Sequence, residues 1–180
     1  VHLFSFPDTS YSGGTLQATL GKGYTGGKNI DVVSLEMSDN FGRSVSLNST
    51  GDRLAVGTMG DGGFGNIAGA SGAVHLFSFG DTFFSSGTLQ ATLGKGYGGG
   101  KNFDVSSLEG NDLFGHSLAL NNFGDRLAVG ANLDDGLGNI ATDSGAVHLF
   151  SFSDASFSGG TFQGTLGKGY IAVSYTHLRA

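Results

Sequence analysis

The chain has 180 residues and a net charge of −6, with 34 glycines, one proline and no cysteine. An acidic chain lacks the basic stripe that nucleic-acid binding requires, and a chain without cysteine forms neither disulfides nor thiolate metal sites. No apolar run reaches the roughly 18 residues of a transmembrane helix, so we expect no membrane insertion in this segment.

The sequence repeats itself. The hexapeptide Val-His-Leu-Phe-Ser-Phe begins at Val1, again at Val74 and again at Val147, which fixes a period of 73 residues. In repeat proteins each period forms one structural unit that packs on its neighbours. We therefore divide the chain into repeats 1–73 and 74–146 and a partial repeat 147–170.

The two ends of the sequence do not coincide with repeat boundaries. Position 1 falls inside a repeat and the third copy stops early, so we expect a fragment of a larger array. After Tyr170 the pattern ends. We expect residues 171–180 to be foreign or artefactual, since they resemble translated adapter sequence.

Side chains alternate with period two in several segments, which is typical of β-strands. In residues 1–6 both faces of the predicted strand are largely apolar, so both should be covered by neighbours. The predicted strands are residues 1–6, 15–20, 41–47, 53–57, 72–79 and 88–93, followed by 114–120, 126–131, 145–152 and 161–166.

A long glycine-rich segment, residues 21–40, separates the second and third predicted strands. Its length exceeds that of ordinary strand connections, which indicates a functional loop or local structure of its own.

Each repeat therefore contains about four strands and no convincing helix. Four-stranded antiparallel meanders repeated along a chain are typical of propeller blades, and a 73-residue period is too long for one simple rung of the rival β-solenoid. We predict an all-β protein: a partial β-propeller with about two complete four-stranded antiparallel blades and the outer half of a preceding blade.

Three separated sequence motifs occur twice in the same order, one period apart. At their first occurrence they are Phe41-Gly42, Leu54-Ala55-Val56-Gly57 and Gly72-Ala73-Val74 followed by Leu76-Phe77. The order resembles the FG-GAP repeat of integrin alpha-subunit propellers and of many bacterial surface proteins. The glycine-rich segment that begins at Gly21 resembles repeats in large filamentous-haemagglutinin-like bacterial adhesins. The resemblance covers residues 1–170.

This resemblance implies a seven-bladed propeller with an adhesive or ligand-binding role. It also implies calcium in some blades, held by an Asp-x-Asp-x-Asp-Gly loop between the first two strands of a blade. Here the corresponding turns, residues 48–52 and 121–125, are too short and have too few carboxylates for the six to eight oxygens that calcium takes. We do not expect the family's calcium site in these turns.

One other loop is rich in oxygen donors. Asp134, Asp135 and Asn139 could bind calcium, which prefers hard oxygen ligands. The first repeat has one carboxylate fewer in the matching loop, which begins at Asp61. The alternative is a solvated turn without a metal, and we expect no other cofactor.

The long loops also carry candidate binding residues. If the blades surround an axis, Tyr24, Lys28, Tyr97 and Lys101 should crowd one rim, where aromatic and polar groups could bind sugar or protein. The alternative is that each tyrosine fills the gap between blades.

Two further groups of residues have a functional and a structural interpretation. His2, His75 and His148 recur at one strand position and could act as ligands or bases, but packing in the strand is the better interpretation. The carboxylates of Asp31, Glu36 and Asp39 could serve glycoside chemistry, with loop solubility as the default.

We therefore expect a non-catalytic adhesion or binding module of a bacterial cell-surface or secreted protein, located outside the cell. Its partners would be a protein or carbohydrate ligand on a host or neighbouring cell, together with further repeats of the same chain. The alternatives are a structural spacer in a large surface polypeptide and a fragment of a propeller enzyme acting on glycans.

Overall fold

The computed structural model describes residues 1–154 and 156–170, and the predicted foreign tail lies outside this part of the chain. The described residues form β-strands and turns without a helix, so none of them belongs to a helix long and apolar enough to span a membrane. The strands are β1 (His2–Ser5), β2 (Thr15–Gly21), β3 (Ile30–Asp31), β4 (Phe41–Leu47), β5 (Arg53–Thr58), β6 (Ala73–Ser78), β7 (Thr88–Gly94), β8 (Phe103–Asp104), β9 (Phe114–Leu120), β10 (Arg126–Ala131), β11 (Ala146–Ser151) and β12 (Thr161–Gly167).

These strands form three open sheets, in the orders β1-β2-β3, β4-β5-β6-β7-β8 and β12-β11-β10-β9. Strands β4–β7 and β9–β12 are antiparallel meanders, and β1–β2 corresponds to the outer half of such a meander. The predicted all-β fold, with two complete propeller-type blades and the outer half of a preceding one, is confirmed.

The two short strands β3 and β8 lie inside the long glycine-rich loops. Each pairs in parallel with the outer strand that precedes it, as Leu20 does with Ile30 and Leu93 with Phe103. Just beyond β3, Val32 and Leu35 are buried against the core between the first two sheets. The local structure expected in this loop is therefore a strand of two residues followed by an apolar anchor.

The sheets stack face to face around two apolar cores. One core lies between the first and second sheets and includes Leu20, Val56 and Phe77. The other lies between the second and third sheets and includes Leu76 and Phe114. The middle sheet is thus covered on both faces, which explains why its strands are apolar on both sides.

The glycines of the recurring sequence motifs have identifiable structural roles. Gly42 and Gly115 have φ angles of 90° and 88°, at the point where the pairing of the innermost strand is irregular. Only glycine takes this conformation without strain. At Gly57 the reason is proximity, because a Cβ atom there would overlap the carbonyl oxygen of Gly115 in the next blade.

The innermost strands of neighbouring blades also form direct polar contacts. The Ser44 hydroxyl donates to the carbonyl of Gly115 at 2.6 Å, and the Leu120 amide donates to the Ser46 hydroxyl at 2.9 Å. Small side chains on this strand therefore allow two backbones to approach closely, as expected where blades converge on an axis.

A candidate ligand pocket on the loop face

The connections β5–β6, β7–β9 and β2–β4 lie at the same end of the sheets. Thr58 pairs with Phe41 and Ala73, and Ala73 pairs with Gly94, so four strand ends of the second sheet meet there. We call this end the loop face. It is where the long loops, most of whose residues are not paired in strands, come together.

The loop face of the second sheet contains a half-open cavity of about 450 Å³. Its polar lining comes from three separate segments of the chain. The side chains that can contact a ligand are the carboxylates of Glu36, Asp39 and Asp61, the amides of Asn66, Gln90 and Asn102, and the rings of Phe64 and Tyr97.

Asp61 is the buried centre of the pocket, with a relative exposure of 4%. Its carboxylate accepts hydrogen bonds from the Gly63 amide at 2.7 Å and the Tyr97 hydroxyl at 2.8 Å. Burial raises the pKa of the Asp61 carboxyl, and Asp39 and Glu36 add to the rise, while the two hydrogen bonds oppose it. Burial and the Asp61 charge raise the pKa of the Tyr97 hydroxyl in turn, so the tyrosine stays a hydrogen-bond donor.

The other two carboxylates come from the loop before β4. Asp39 is buried and accepts a hydrogen bond from the Glu36 amide at 2.6 Å. The exposed Glu36 side chain accepts one from the Asn66 side chain at 2.7 Å. A contact between residues thirty positions apart thus connects two loops across the pocket mouth.

Phe64 provides the apolar part of the pocket. Its side chain is 65% exposed, although its backbone amide is held by the Lys95 carbonyl at 2.8 Å. Its ring contacts Tyr97 edge to face, with 5.9 Å between the ring centroids. An exposed aromatic ring on a fixed backbone offers a flat surface on which a ligand can stack.

The loop predicted to bind calcium is organised differently. The Asp134 carboxylate is buried and lies near the Gly136 amide, the Tyr170 hydroxyl and the His148 ring. The neighbouring Asp135 accepts a hydrogen bond from the Asp143 amide at 2.7 Å instead.

No group of three or more His, Asp or Glu side chains within residues 1–154 and 156–170 is arranged to hold a metal ion. Calcium binding by Asp134, Asp135 and Asn139 stays a prediction. The alternative of a solvated turn is wrong for Asp134 and for its counterpart Asp61, because both side chains are buried.

Of the four rim candidates, the structure places only Tyr97 in the pocket. Tyr24 is 47% exposed and lies outside it. The Lys28 ammonium donates to the Phe83 carbonyl at 2.7 Å, and the Lys101 ammonium donates to the Ser156 carbonyl at 2.8 Å. Both acceptors belong to the next blade along the chain, so these lysines connect blades.

The histidine prediction is confirmed for two of the three positions. His75 and His148 are fully buried and form hydrogen-bonding contacts with Thr92 and Thr165 at 3.0 Å. Burial lowers the pKa of His75 to about 4 and also lowers the pKa of His148, although nearby Asp134 opposes the latter change. His2 has the same threonine contact but is exposed.

Sequence reasoning missed the pocket as a unit. Glu36 and Asp39 were candidate carboxylates, but nothing in the spacing places them beside Asp61, which follows two strands later. The available signal was a difference between the repeats, since Phe64 corresponds to Leu137 one period later.

Comparison with known families agrees with this architecture. Residues 106–150 match the family described as FG-GAP repeat, a segment that extends from the loop before β9 into β11. The match covers less than half of the chain, and no curated protein matches it. The described residues thus form an all-β arrangement of propeller-type blades, in which residues 106–150 are similar to the FG-GAP repeat.

Proposed function

We propose that this chain is a non-catalytic adhesion or binding module, and that its pocket on the loop face binds carbohydrate. The observation that carries the proposal is the exposed ring of Phe64 beside the acidic and amide side chains of the pocket. Pockets that combine an apolar surface with a few convergent polar groups are the usual form of a small-ligand site.

The chemistry of the lining favours a neutral sugar. Sugar hydroxyl groups can donate to the carboxylates of Glu36 and Asp61, and the amides of Gln90 and Asn102 can both donate and accept. The apolar face of a sugar ring can stack on Phe64. A phosphate or another anion would be repelled by the three carboxylates.

Non-catalytic use is supported by the recurrence of the acidic residues. Glu36, Asp39 and Asp61 return one period later as Glu109, Asp112 and Asp134. Their hydrogen bonds return as well, from the Glu109 amide to Asp112 at 2.7 Å and from the Gly136 amide to Asp134 at 2.8 Å. Carboxylates that hold the same loops in both of these blades serve the fold, whereas an active site would need them in one blade.

A location on the bacterial cell surface or in the secreted fraction belongs to the same proposal. It is supported by the FG-GAP repeat match of residues 106–150 and by the resemblance of the glycine-rich loops to adhesin repeats. The ligand would then be a glycan on a host or neighbouring cell.

The test is binding of the full chain to a glycan array, followed by calorimetry with the best glycan. We expect F64A to weaken binding by about fivefold, because one stacking contact is worth roughly 1 kcal/mol. The matched control is L137A, which changes the equivalent position of the other blade and should leave affinity unchanged. Equal affinities for F64A and the unaltered chain would refute a sugar site at this pocket.

A structural spacer is the second candidate, and the lysine bridges favour it. Lys28 and Lys101 have side chains that a rim would offer to a ligand, yet both donate to the next blade. A spacer predicts no glycan binding by any form of the chain, together with stability that rises with each added repeat.

A further inference from the structure

We propose that Arg43 and His116 form an anion-binding site that takes a carboxylate group of a ligand. Their side chains come from β4 and β9, the innermost strands of neighbouring blades, and Nη2 of Arg43 lies 3.1 Å from Nε2 of His116. Neither residue lines the pocket that contains Phe64, so this inference does not depend on the glycan proposal.

The backbone brings the two side chains together. In β4 the register with β5 is interrupted after Phe41, which leaves Gly42 and Arg43 without cross-strand partners. In β9 the same interruption leaves Gly115 and His116 without cross-strand partners. A bulge of this kind turns a side chain out of the regular alternation of its strand, and bulges are common beside functional sites.

The two residues occupy the same position of the repeat. Each follows a Phe-Gly motif, and they are 73 residues apart in the sequence. The Arg43 side chain is exposed and that of His116 is half-buried, so a ligand in solvent can reach both. Successive inner strands therefore present two nitrogen donors at one point of the surface.

The contact between the two side chains determines which donors remain for a ligand. A guanidinium group has no acceptor, so Arg43 donates and Nε2 of His116 accepts. The imidazole proton is then on Nδ1, which is a further donor. The other N–H groups of the Arg43 guanidinium have no partner among residues 1–154 and 156–170. They can donate to both oxygens of a carboxylate.

The charge of Arg43 is not balanced within the described part of the chain. No carboxylate there forms an ion pair with it, although the sequence has 15 Asp and Glu residues. The nearby Asp39 and Asp112 are buried and accept hydrogen bonds from the amides of Glu36 and Glu109 instead. An arginine that faces a histidine in an acidic chain is an arrangement that a ligand anion would complete.

The surroundings favour a carboxylate over a dianion such as sulfate. The chain has a net charge of −6, and Asp39 and Asp112 precede the two bulges by four residues each. These charges repel a dianion about twice as strongly as a monoanion. The planar fork of a guanidinium also matches the two oxygens of a carboxylate. Such a group occurs on acidic sugars and on acidic peptides, which the first experiment below distinguishes.

The first experiment follows the backbone amide NMR signals of the full chain during titration with sodium acetate, while sodium chloride keeps the ionic strength constant. We expect saturable shifts at residues 42–44 and 115–117 with one common dissociation constant. R43Q should weaken binding by about tenfold or more, because it removes charge-assisted hydrogen bonds. The matched control is R126Q, which makes the same change of charge at the exposed start of β10 and should bind as the unaltered chain does.

The same titration with other anions identifies the ligand class. Glucuronate and N-acetylglutamate distinguish a sugar acid from a peptide acid as the source of the carboxylate. Saturation by sulfate but not by acetate overturns the assignment to a carboxylate. Acetate shifts that never saturate, or equal affinities of R43Q and R126Q, overturn the site itself.

A second experiment supplies the carboxylate from the chain itself, so it does not depend on the affinity of a free anion. We expect a higher denaturant midpoint for H116E than for H116Q, because the introduced carboxylate can pair with the Arg43 guanidinium. The difference should disappear when both variants also carry R43Q, which controls for the added negative charge. A difference that is the same with and without R43Q would show that the guanidinium does not accept a carboxylate at this position.

Discussion

The hexapeptide Val-His-Leu-Phe-Ser-Phe lies in three different environments in one molecule. In the middle sheet its phenylalanine Phe77 is fully buried, and in the third sheet Phe150 is nearly so, while Phe4 in the first sheet is half exposed. The residues and the local strand are the same, so the difference comes from the sheet and strand packed beside each copy. How deeply a repeated residue is buried therefore depends on the contacts between repeats.

Strands β5 and β10 show the same effect on the opposite face. All residues of β5 are buried, whereas in β10 buried residues alternate with more exposed ones. The third sheet covers the face of β5 that includes Ala55, and no described sheet covers the corresponding Ala128. Comparing matched positions in different sheets therefore measures what a neighbouring blade contributes.

The largest effect should come from truncating the repeated phenylalanine. We expect F77A to lower the free energy of unfolding by about 3–5 kcal/mol, because it opens a cavity in a closed core. F4A should cost about 1 kcal/mol, since its ring is already half in water. Denaturant unfolding of both variants measures the difference, and similar losses would show that the first sheet is covered in solution.

The repeated histidine should give the next effect, through pH. Burial lowers the pKa of His75 to about 4, below the unfolded value of 6.5. Its contribution to stability is therefore fully present above about pH 6.5 and is lost as the pH falls toward 4, by roughly 3 kcal/mol. We expect H75Q to reduce the loss of stability between pH 7 and pH 4.

Two comparisons isolate the histidine. Asp112 contributes the opposite dependence of stability on pH, because burial and the nearby Asp134 raise its pKa to about 6. This contribution is the same in the unaltered chain and in H75Q, so it cancels in their comparison. The variant H2Q is the control, since the exposed His2 occupies the same strand position. If H75Q and H2Q have the same stability profile, His75 is not buried as described.

The smallest effect should come from adding one methyl group at matched glycines. A Cβ atom at Gly57 would overlap the Gly115 backbone, so G57A should cost about 1–3 kcal/mol. At Gly130 the overlap is with the Ser117 hydroxyl alone, which can rotate away, so G130A should lie within about 0.5 kcal/mol of the unaltered chain. Equal thermal melting of the two variants would contradict the close approach of the second and third sheets.

The sequence predicted the strands well because alternation and an ungapped repeat determine them locally. Strand bounds differ from the prediction by at most one residue at either end, and the Phe-Gly motif lies at the irregular pairing of Gly42. The strands β3 and β8 were missed, since two residues are too few to show a period.

The pocket could not be predicted in the same way. Asp39 and Asp61 come close only because the loop before β4 folds back over the end of β5, where the Gly60 amide donates to the Asp39 carbonyl at 3.0 Å. The contacts of the two lysines could not be predicted for a similar reason. Lys28 and Lys101 have acceptors that lie in another blade, which no spacing within a repeat reveals.

The two lysine bridges connect each blade to the one that follows it in the chain. Each ammonium group finds its acceptor 55 positions further along the chain, in a hairpin made later by the ribosome. Each of these two bridges can therefore form only once the following blade is present.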